Sequence, residues 1–264
     1  MNVIDIDEDI LNDFTKKLKI DILPNDLKIS TMTICCKLDV IFNLINIAKY
    51  IDITQHNIIN ISFGDLTNIK TNRGYIIRKK KAKHRFLNQA SLYVVITNDK
   101  YVNVKLFNNG AIQMTGCQTV KQVIIALQKL FNELKKTKII IRNKQFIEMP
   151  FTSDSKQLHL KYVSKLKTCL INSDFKFPMI VNRIKLYRLM LFEKYNVYFD
   201  IIRRHSVNIK YYSDDHEITI LVFEKNSILI TGGTTCKHLL DAYNFINKYL
   251  LINQYYVINH SFDL

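Results

Sequence analysis

Two stretches of similar pattern constrain the fold of this chain more than any other feature. Residues 106–117 read LFNNGAIQMTGC and residues 222–233 read VFEKNSILITGG, so Gly116 and Gly232 are 232 − 116 = 116 positions apart. Each stretch places two apolar segments around a turn sequence, which is typical of a β-hairpin. Because the chain has only six glycines, the repeated Thr-Gly predicts that one structural unit occurs twice.

The order of predicted elements around the two hairpins supports this duplication. In both halves a strand, a helix, two paired strands, a further strand and a long helix follow one another. At the offset of 116, apolar positions coincide from about residue 90 to residue 134. We therefore predict an α+β fold of two copies of one unit, each an antiparallel sheet with helices on one face, related by a pseudo-twofold axis.

The predicted boundaries divide the chain into an arm and two repeats. The arm covers residues 1–24, the first repeat 25–150 and the second repeat 151–264, and a basic insert occupies 64–88. The insert is polar and weakly periodic, which indicates a loop. We expect the acidic arm to be a disordered tail, with its return onto the basic binding face as the alternative.

Charge is strong and unevenly distributed. The formal net charge is +15. The first fifteen residues carry five carboxylates and no basic residue, whereas positions 70–85 carry eight basic residues and no acid. Such segregation favours a contact segment for a polyanion, most commonly nucleic acid, over a surface that is basic for solubility alone.

Several classes of protein are disfavoured by the sequence. No run of eighteen apolar residues occurs and the first twenty residues are acidic, which argues against a membrane span or a signal peptide. Five scattered cysteines without a C-x-x-C motif indicate reduced thiols in an intracellular protein. We expect no metal, no cofactor and no enzymatic activity, since neither metal-binding histidine spacing nor a nucleotide-binding or nucleophile motif is present.

A sheet with helices on one face leaves its other face free to bind a ligand. A repeated phenylalanine followed by Thr-Gly suits the DNA minor groove, where apolar side chains enter between base steps and small hydroxyl residues approach base edges. The alternative is that Phe107 and Phe223 point toward the helices and belong to the core.

Four segments carry a resemblance to the TATA-box-binding protein (TBP) family, especially to the TBP-like proteins of large DNA viruses. They are STMTICCKLDV (30–40), KLFNNGAIQMTGC (105–117), NSDFKFPMIV (172–181) and ILVFEKNSILITGG (220–233). The resemblance covers about residues 25 to 255. It implies a TBP-like saddle, a curved antiparallel sheet of about ten strands that binds the minor groove with its concave side and carries helices on its convex side, as TBP itself does.

The resemblance also implies which residues contact DNA. Phe107 and Phe223 match intercalating phenylalanines, and Thr115 and Thr231 match threonines that lie against the bases. Thr168 takes the place of an asparagine that reads the groove. Phosphate contacts by the basic insert, with a solvated loop as the alternative, would come from Arg78, Lys79, Lys80, Lys81, Lys83 and Arg85.

The chain departs from the family pattern at several of these positions. The second phenylalanine of each half aligns with Ala90 and Ser206, and Phe86 and Phe199 lie close enough to replace them under a shifted register. The other groove-reading asparagine aligns with Leu27. Family lysines that flank the hairpins align with Ala111, Gln118, Ser227 and Thr234.

Two functions follow from the resemblance. The first is a TBP-like initiation factor that binds AT-rich promoter DNA through the minor groove and recruits general transcription factors or a multisubunit RNA polymerase. The second is a protein-interaction scaffold of the transcription machinery with weak or no sequence-specific DNA binding. A monomer with an internal pseudo-dimer is implied in both cases, in the host cytoplasm or virion if the protein is viral and otherwise in the nucleus.

Overall fold

The computed structural model describes residues 6–21, 23–64, 66–71, 74–77, 88–97, 99–202 and 205–258. The chain forms two compact units. Unit 1 consists of Met1–Leu18 and Thr33–Lys167, and unit 2 of Lys19–Met32 and Thr168–Leu264. The amino-terminal region is therefore divided between the units, with Met1–Leu18 in unit 1 and Lys19–Met32 in unit 2. The predicted boundaries do not include this division.

Unit 1 contains an antiparallel sheet, three α-helices and a separate hairpin. Its elements are α1 (Glu8–Leu18), β1 (Lys28–Lys37, in this unit from Thr33), α2 (Leu44–Tyr50), β2 (Ile58–Phe63), β3 (Leu66–Thr71), β4 (Gly74–Ile77), β5 (Gln89–Thr97), β6 (Lys100–Phe107), β7 (Ala111–Cys117), α3 (Val120–Leu134), β8 (Lys138–Arg142) and β9 (Gln145–Met149). The strand order is β1-β7-β6-β5-β2-β3-β4, and β8 pairs only with β9 among the described strands. Two short 3-10 helices follow, Ser155–Gln157 and Leu160–Tyr162.

Unit 2 repeats the arrangement with fewer strands. Its elements are β10 (Ser164–Lys176, in this unit from Thr168), α4 (Arg183–Phe192), β11 (Val197–Tyr198), β12 (Ser206–Ser213), β13 (His216–Phe223), β14 (Ser227–Gly233), α5 (Cys236–Ile252) and α6 (Gln254–Val257). The strand order is β10-β14-β13-β12-β11. Since α3 packs on β5 and β7 while α5 packs on β12, β13 and β14, the predicted α+β architecture with helices on one side of the sheet is confirmed.

Strand alternation separates a buried face from an open face in each unit. The residues of β6 and β13 that face the helices are fully buried and lie at the same repeat positions: Val102, Val104, Leu106, Ile218, Ile220 and Val222. The residues between them lie on the opposite side of the sheet, because successive side chains of a strand point to opposite faces. We call that side the open face of each unit.

Helix ends and glycines follow the repeat. Thr119 and Thr235 cap α3 and α5 by accepting hydrogen bonds from backbone N–H groups three residues on, each at 3.3 Å. Gly116 and Gly232 have φ angles of 114° and 101°, which residues with a Cβ atom rarely adopt. The repeated Thr-Gly therefore reflects one backbone requirement that occurs in both units.

A tighter requirement exists at Gly110, in the β6–β7 turn. Its φ is 84°, and its carbonyl accepts a hydrogen bond from the Leu38 N–H at 3.0 Å. A Cβ atom on Gly110 would lie 2.2 Å from the Leu38 carbonyl oxygen and 2.6 Å from that of Val40. The turn is thus held against β1 by a contact that only glycine permits.

The acidic arm is not a disordered tail where it is described. Residues 8–18 form α1, which packs against α3. Phe14 and Leu18 are only 2% and 1% exposed, since they lie at i, i+4 spacing on the side that faces the core. Both expectations for this segment are therefore wrong over α1, because it lies on the helical side of unit 1 rather than on the open face.

The described part of the basic insert forms mainly strands. Residues 66–71 and 74–77 form the β3–β4 hairpin, which extends the sheet beyond β2. The prediction of a loop is wrong for these residues, because backbone pairing outweighs the weak hydrophobic periodicity of the segment. Arg78, Lys79, Lys80, Lys81, Lys83, Arg85 and Phe86 lie outside the described residues.

All five cysteines are free thiols, and burial raises the pKa of Cys36 and Cys117 to about 12, so neither forms a reactive thiolate near neutral pH. Among the described helices, none has the length and apolar character needed to cross a membrane.

Unit 2 is partly built from the segment that precedes β1. The backbone of Asp21 is within hydrogen-bonding distance of Cys236 Sγ, at 3.4 Å from nitrogen, and Tyr243 donates a 2.6 Å hydrogen bond to Asp26. Both contacts fix residues from the amino-terminal region on α5. They explain why Lys19–Met32 belongs to unit 2.

A stacked histidine pair lies where α5 begins. The rings of His216 and His238 are 4.5 Å apart and nearly parallel. His216 Nε2 donates to the Gly232 carbonyl at 2.7 Å, while His238 Nδ1 accepts a 3.2 Å hydrogen bond from the Thr234 N–H. Burial lowers the pKa of His238, and the adjacent His216 lowers it further. Protonation of Nδ1 would also break the bond from Thr234.

This pair predicts a loss of stability in mild acid. Because the pKa of His238 is lower folded than unfolded, where it is about 6.5, the unfolded chain binds more protons below that value. Stability is therefore complete above pH 6.5 and falls as the pH decreases toward the folded pKa. Melting temperatures measured from pH 7.5 to 5 should fall more for the wild type than for His238→Gln. Parallel curves would contradict this assignment.

Candidate nucleic-acid interface

The open face of unit 1 is neutral to basic and rich in hydroxyl, amide and aromatic groups. Strand pairing aligns the residues of three strands across it. They are Gln89, Ser91 and Tyr93 of β5, Tyr101, Asn103, Lys105 and Phe107 of β6, and Ala111, Gln113 and Thr115 of β7. No acidic residue occurs in this set. Such a surface matches the polar edges of base pairs without repelling phosphates.

The open face of unit 2 has the same framework with more charge. Its residues are Ser206, Asn208, Lys210 and Tyr212 of β12, Glu217, Thr219, Leu221 and Phe223 of β13, and Ser227, Leu229 and Thr231 of β14. Lys210 forms a 2.7 Å ion pair with Glu217. The hydrogen bonds from Lys210 and Tyr212 lower the pKa of Glu217, so this carboxylate is charged at neutral pH.

Phe107 and Phe223 lie on the open faces and not in the helix-facing core. Each is half-buried at the end of its strand, whereas the preceding residues, Leu106 and Val222, are fully buried against the helical side. The alternative that both phenylalanines are core residues is therefore wrong. Their role as intercalating side chains stays a prediction.

Thr115 and Thr231 share the open faces with the phenylalanines and make equivalent side-chain contacts. The Oγ1 atoms of Thr115 and Thr33 are 3.2 Å apart, and Thr231 donates a 2.5 Å hydrogen bond to Asn172. Thr33 and Asn172 were not predicted as site residues. A sequence signal does identify them: each lies in one of the quoted motifs, four residues before a lysine, Thr33 before Lys37 and Asn172 before Lys176.

The phenylalanines and threonines stand well apart on each face. Thr115 lies opposite Asn103 in the β6–β7 pair, four residues along the strand from Phe107. At about 3.3 Å per residue this is roughly 13 Å. The structure thus places the predicted contacts of each unit on one face, with the phenylalanine at one end and the threonine toward the other.

Polar residues lie opposite both phenylalanines. Gln89 pairs with Phe107, and Ser206 pairs with Phe223. The alignment of Ala90 with the second phenylalanine of the family is therefore corrected by one residue. Ala90 is fully buried on the helical side.

A β-bulge causes this displacement. The register of β5 against β6 shifts between Val95 and Thr97, and a bulge adds one residue to its strand. Val95 and Ile96 are consecutive and both buried, as expected where alternation is interrupted. No such shift occurs in the β12–β13 pair. The number of residues that separates equivalent positions of the two repeats is therefore larger by one before the bulge than after it.

Phe199 does not replace the missing phenylalanine. It is 8% exposed, its ring packs against Tyr187 of α4 at 6.0 Å, and the Arg183 guanidinium lies 5.4 Å from the ring centre. These contacts hold it on the helical side of unit 2. The possibility that Phe199 takes over the role is therefore wrong.

The remaining predicted positions differ in environment. Thr168 is half-buried in β10, whereas Leu27 is buried and presents no hydrogen-bonding side chain. In place of family lysines, Ala111 and Ser227 lie half-buried at the starts of β7 and β14.

Within the described part of the chain, no cluster of three or more metal-ligating side chains occurs.

Comparison with known proteins agrees with this geometry. No protein-family model matches the chain. The solved structure of Methanococcus jannaschii TBP superposes with a TM-score of 0.52 at 13% identity, covering 84% of this chain and 97% of the archaeal one. The fold is that of a TATA-box-binding protein.

A sequence relative agrees with the structural match. The chain is 32% identical over 246 residues to a TATA-box-binding protein-like protein of Acanthamoeba polyphaga mimivirus. The aligned region covers 86% of this chain and 65% of the viral relative, so the chain spans slightly less than two thirds of that protein. The resemblance to the TBP family, and to its viral TBP-like proteins, is confirmed.

Proposed function

We propose that the protein is a transcription initiation factor of the TBP type. It binds promoter DNA in the minor groove through its open faces and recruits general transcription factors or a multisubunit RNA polymerase. The observation that carries the proposal is the repeated placement of Phe107 and Phe223 on the open faces. Apolar side chains at such positions enter between base steps and kink the duplex.

Hydroxyl and amide groups next to the phenylalanines suit AT-rich DNA. The Thr33–Thr115 and Asn172–Thr231 pairs offer small polar groups to a groove whose A·T edges carry only acceptors. Unit 1 contributes more of the DNA affinity, because its open face has Lys105 and no acid among the residues of β5, β6 and β7. In unit 2, Glu217 neutralises Lys210 in an ion pair, and the exposed Asp174 of β10 opposes the phosphates.

A scaffold function without sequence-specific DNA binding is the second candidate. It is favoured by Gln89 and Ser206, which stand opposite the phenylalanines in place of a second aromatic ring. A single wedge in each unit supports less kinking than two. The two candidates differ in one measurable quantity, the affinity for AT-rich over GC-rich duplex.

A fluorescence-anisotropy titration tests the proposal. Labelled duplexes of about twenty base pairs, carrying a TATA box, another AT-rich sequence or a GC-rich sequence, are titrated with the full chain at two salt concentrations. We expect at least tenfold tighter binding of the AT-rich duplexes, competition by a minor-groove ligand such as distamycin, and weaker binding at higher salt. Equal affinity for all three duplexes, or no binding at low salt, would favour the scaffold.

A further inference from the structure

The β8–β9 hairpin is a two-stranded sheet of unit 1 that has no counterpart among the described residues of unit 2. Its two-residue turn, Asn143 and Lys144, has φ angles of 52° and 65°, the left-handed pair of a type I′ turn that fixes strand register. Two-stranded hairpins of this length are marginally stable alone. One face is held on the body of the unit, where Lys138 forms bonds of 2.7 and 2.8 Å to both carboxylate oxygens of Asp52.

The outward face of this hairpin is mostly apolar, and its one charged residue among the paired positions is Glu148, opposite Ile139. Ile139 and Ile141 alternate with the residues held on the body, and Phe146 lies directly opposite Ile141 in the pairing. Ile139, Ile141 and Phe146 are 60%, 72% and 78% exposed. We call these three side chains the hairpin patch. They expose on the order of 400 Å² of mostly apolar surface together, as much as the largest patch of a typical monomer.

The repeat shows that the fold does not require the hairpin. In unit 1 the chain leaves α3, forms the hairpin and returns to a β-bridge between Thr152 and Phe42. In unit 2 the chain leaves α5 and reaches the equivalent bridge, between Ile258 and Val181, through the single turn of α6. An apolar surface that the fold does not need, on an element absent from the second copy, indicates selection for binding.

We propose that the hairpin patch binds a second protein, one that presents an apolar groove with acidic residues at its rim. Arg142 and Lys144 are exposed at the turn, next to Ile141 and Phe146, and pair with that rim, while Ile141 and Phe146 fill the groove. Glu148 lies farther from the turn, opposite Ile139, and stays outside the acidic rim. This surface is distinct from the open faces and its use is independent of DNA binding.

Charge disfavours a second copy of this chain as the occupant. Two chains of formal charge +15 repel one another. A nucleic acid would leave the three apolar side chains without apolar partners. An acidic protein satisfies both the apolar and the basic part of the surface.

Photocrosslinking from the patch identifies the partner. The full chain, with a benzophenone amino acid at position 146, is produced in the cells that naturally make it and irradiated, and the crosslinked protein is identified, purified and titrated against the unmodified chain. We expect one acidic partner, bound at least tenfold more weakly by the double variant Ile141→Ser, Phe146→Ser. A matched control is Ile201→Ser, Ile202→Ser, which alters exposed isoleucines elsewhere and should leave the affinity unchanged.

Every other outcome overturns the proposal. Crosslinks only to the same chain, with dimers in sedimentation equilibrium, would identify the patch as a self-association surface. Crosslinks to nucleic acid, to no macromolecule, or to a partner whose affinity the double variant leaves unchanged would exclude an acidic protein as its ligand. Circular dichroism and melting of both variants show whether the fold is retained, as we expect for substitutions of exposed side chains.

Discussion

Gly110→Ala is expected to lower the free energy of unfolding by roughly 4 kcal/mol, near the upper end for a single substitution. The new Cβ atom would lie 2.2 Å from one backbone carbonyl oxygen and 2.6 Å from another, and no side-chain rotation relieves a clash with backbone. A φ of 84° adds strain. For a chain of this size the melting temperature should fall by about 10 °C.

Unit 2 offers a matched control for this substitution. Asn226, 116 residues after Gly110, occupies the equivalent turn with a φ of 54° and accepts the equivalent hydrogen bond, from the Phe177 N–H, at 2.9 Å. Because glycine adopts this φ freely, Asn226→Gly should change stability by less than about 1 kcal/mol. If the melting temperature of Gly110→Ala lies within 2 °C of the wild type, the loss of unfolding free energy is only about 0.5–1 kcal/mol. That result would contradict the prediction and show that β1 moves away from the new Cβ atom at little cost.

Replacing both open-face phenylalanines by serine is expected to weaken DNA binding on the order of 100-fold. Each serine removes a ring that enters a base step, and with it the stacking on the bases and the bend in the DNA. A loss of this size in binding free energy is typical of the residues that dominate an interface. Anisotropy titrations of Phe107→Ser, Phe223→Ser and the double variant measure the separate contributions. The loss should be larger for the AT-rich duplex than for the GC-rich one.

Phe192→Ser is the control, since Phe192 is 85% exposed on α4 and lies outside both open faces. Its affinity for DNA should equal that of the wild type. An equal loss for Phe192→Ser would indicate a general loss of apolar surface rather than intercalation. If the double variant retains full affinity, the open faces do not bind DNA through these side chains.

The duplicated fold could be predicted because its signal is long and regular. Alternating apolar residues in β6 and β13 coincide at a constant offset, and the Thr-Gly pairs require the same backbone in both copies. The bulge in β5 could not be predicted, because Val94, Val95 and Ile96 form a continuous apolar run in which one extra residue leaves no mark. Because of this extra residue, Gln89 and not Ala90 lies opposite Phe107.

Two parts of unit 1, the helix α1 and the β3–β4 hairpin, were not predicted, for different reasons. In α1, Ile10, Phe14 and Leu18 recur every four residues, but five carboxylates nearby favoured a tail. β3 and β4 have only weak apolar periodicity and depend on backbone pairing, of β3 with β2 and of β4 with β3. The position of Phe199 could not be predicted either. It lies close to β12 in sequence, but this proximity does not determine the side of the sheet on which its ring packs.

The assignment of Lys19–Met32 to unit 2 has a consequence for synthesis on the ribosome. This segment is made before the rest of unit 2, yet its contacts with Cys236 and Tyr243 require residues that appear more than 200 positions later. At 5–20 residues per second, it stays without these partners for roughly 10–40 seconds, and all residues of unit 1 are made before those partners appear. The nascent chain therefore carries this segment without its contacts to α5 until α5 has emerged.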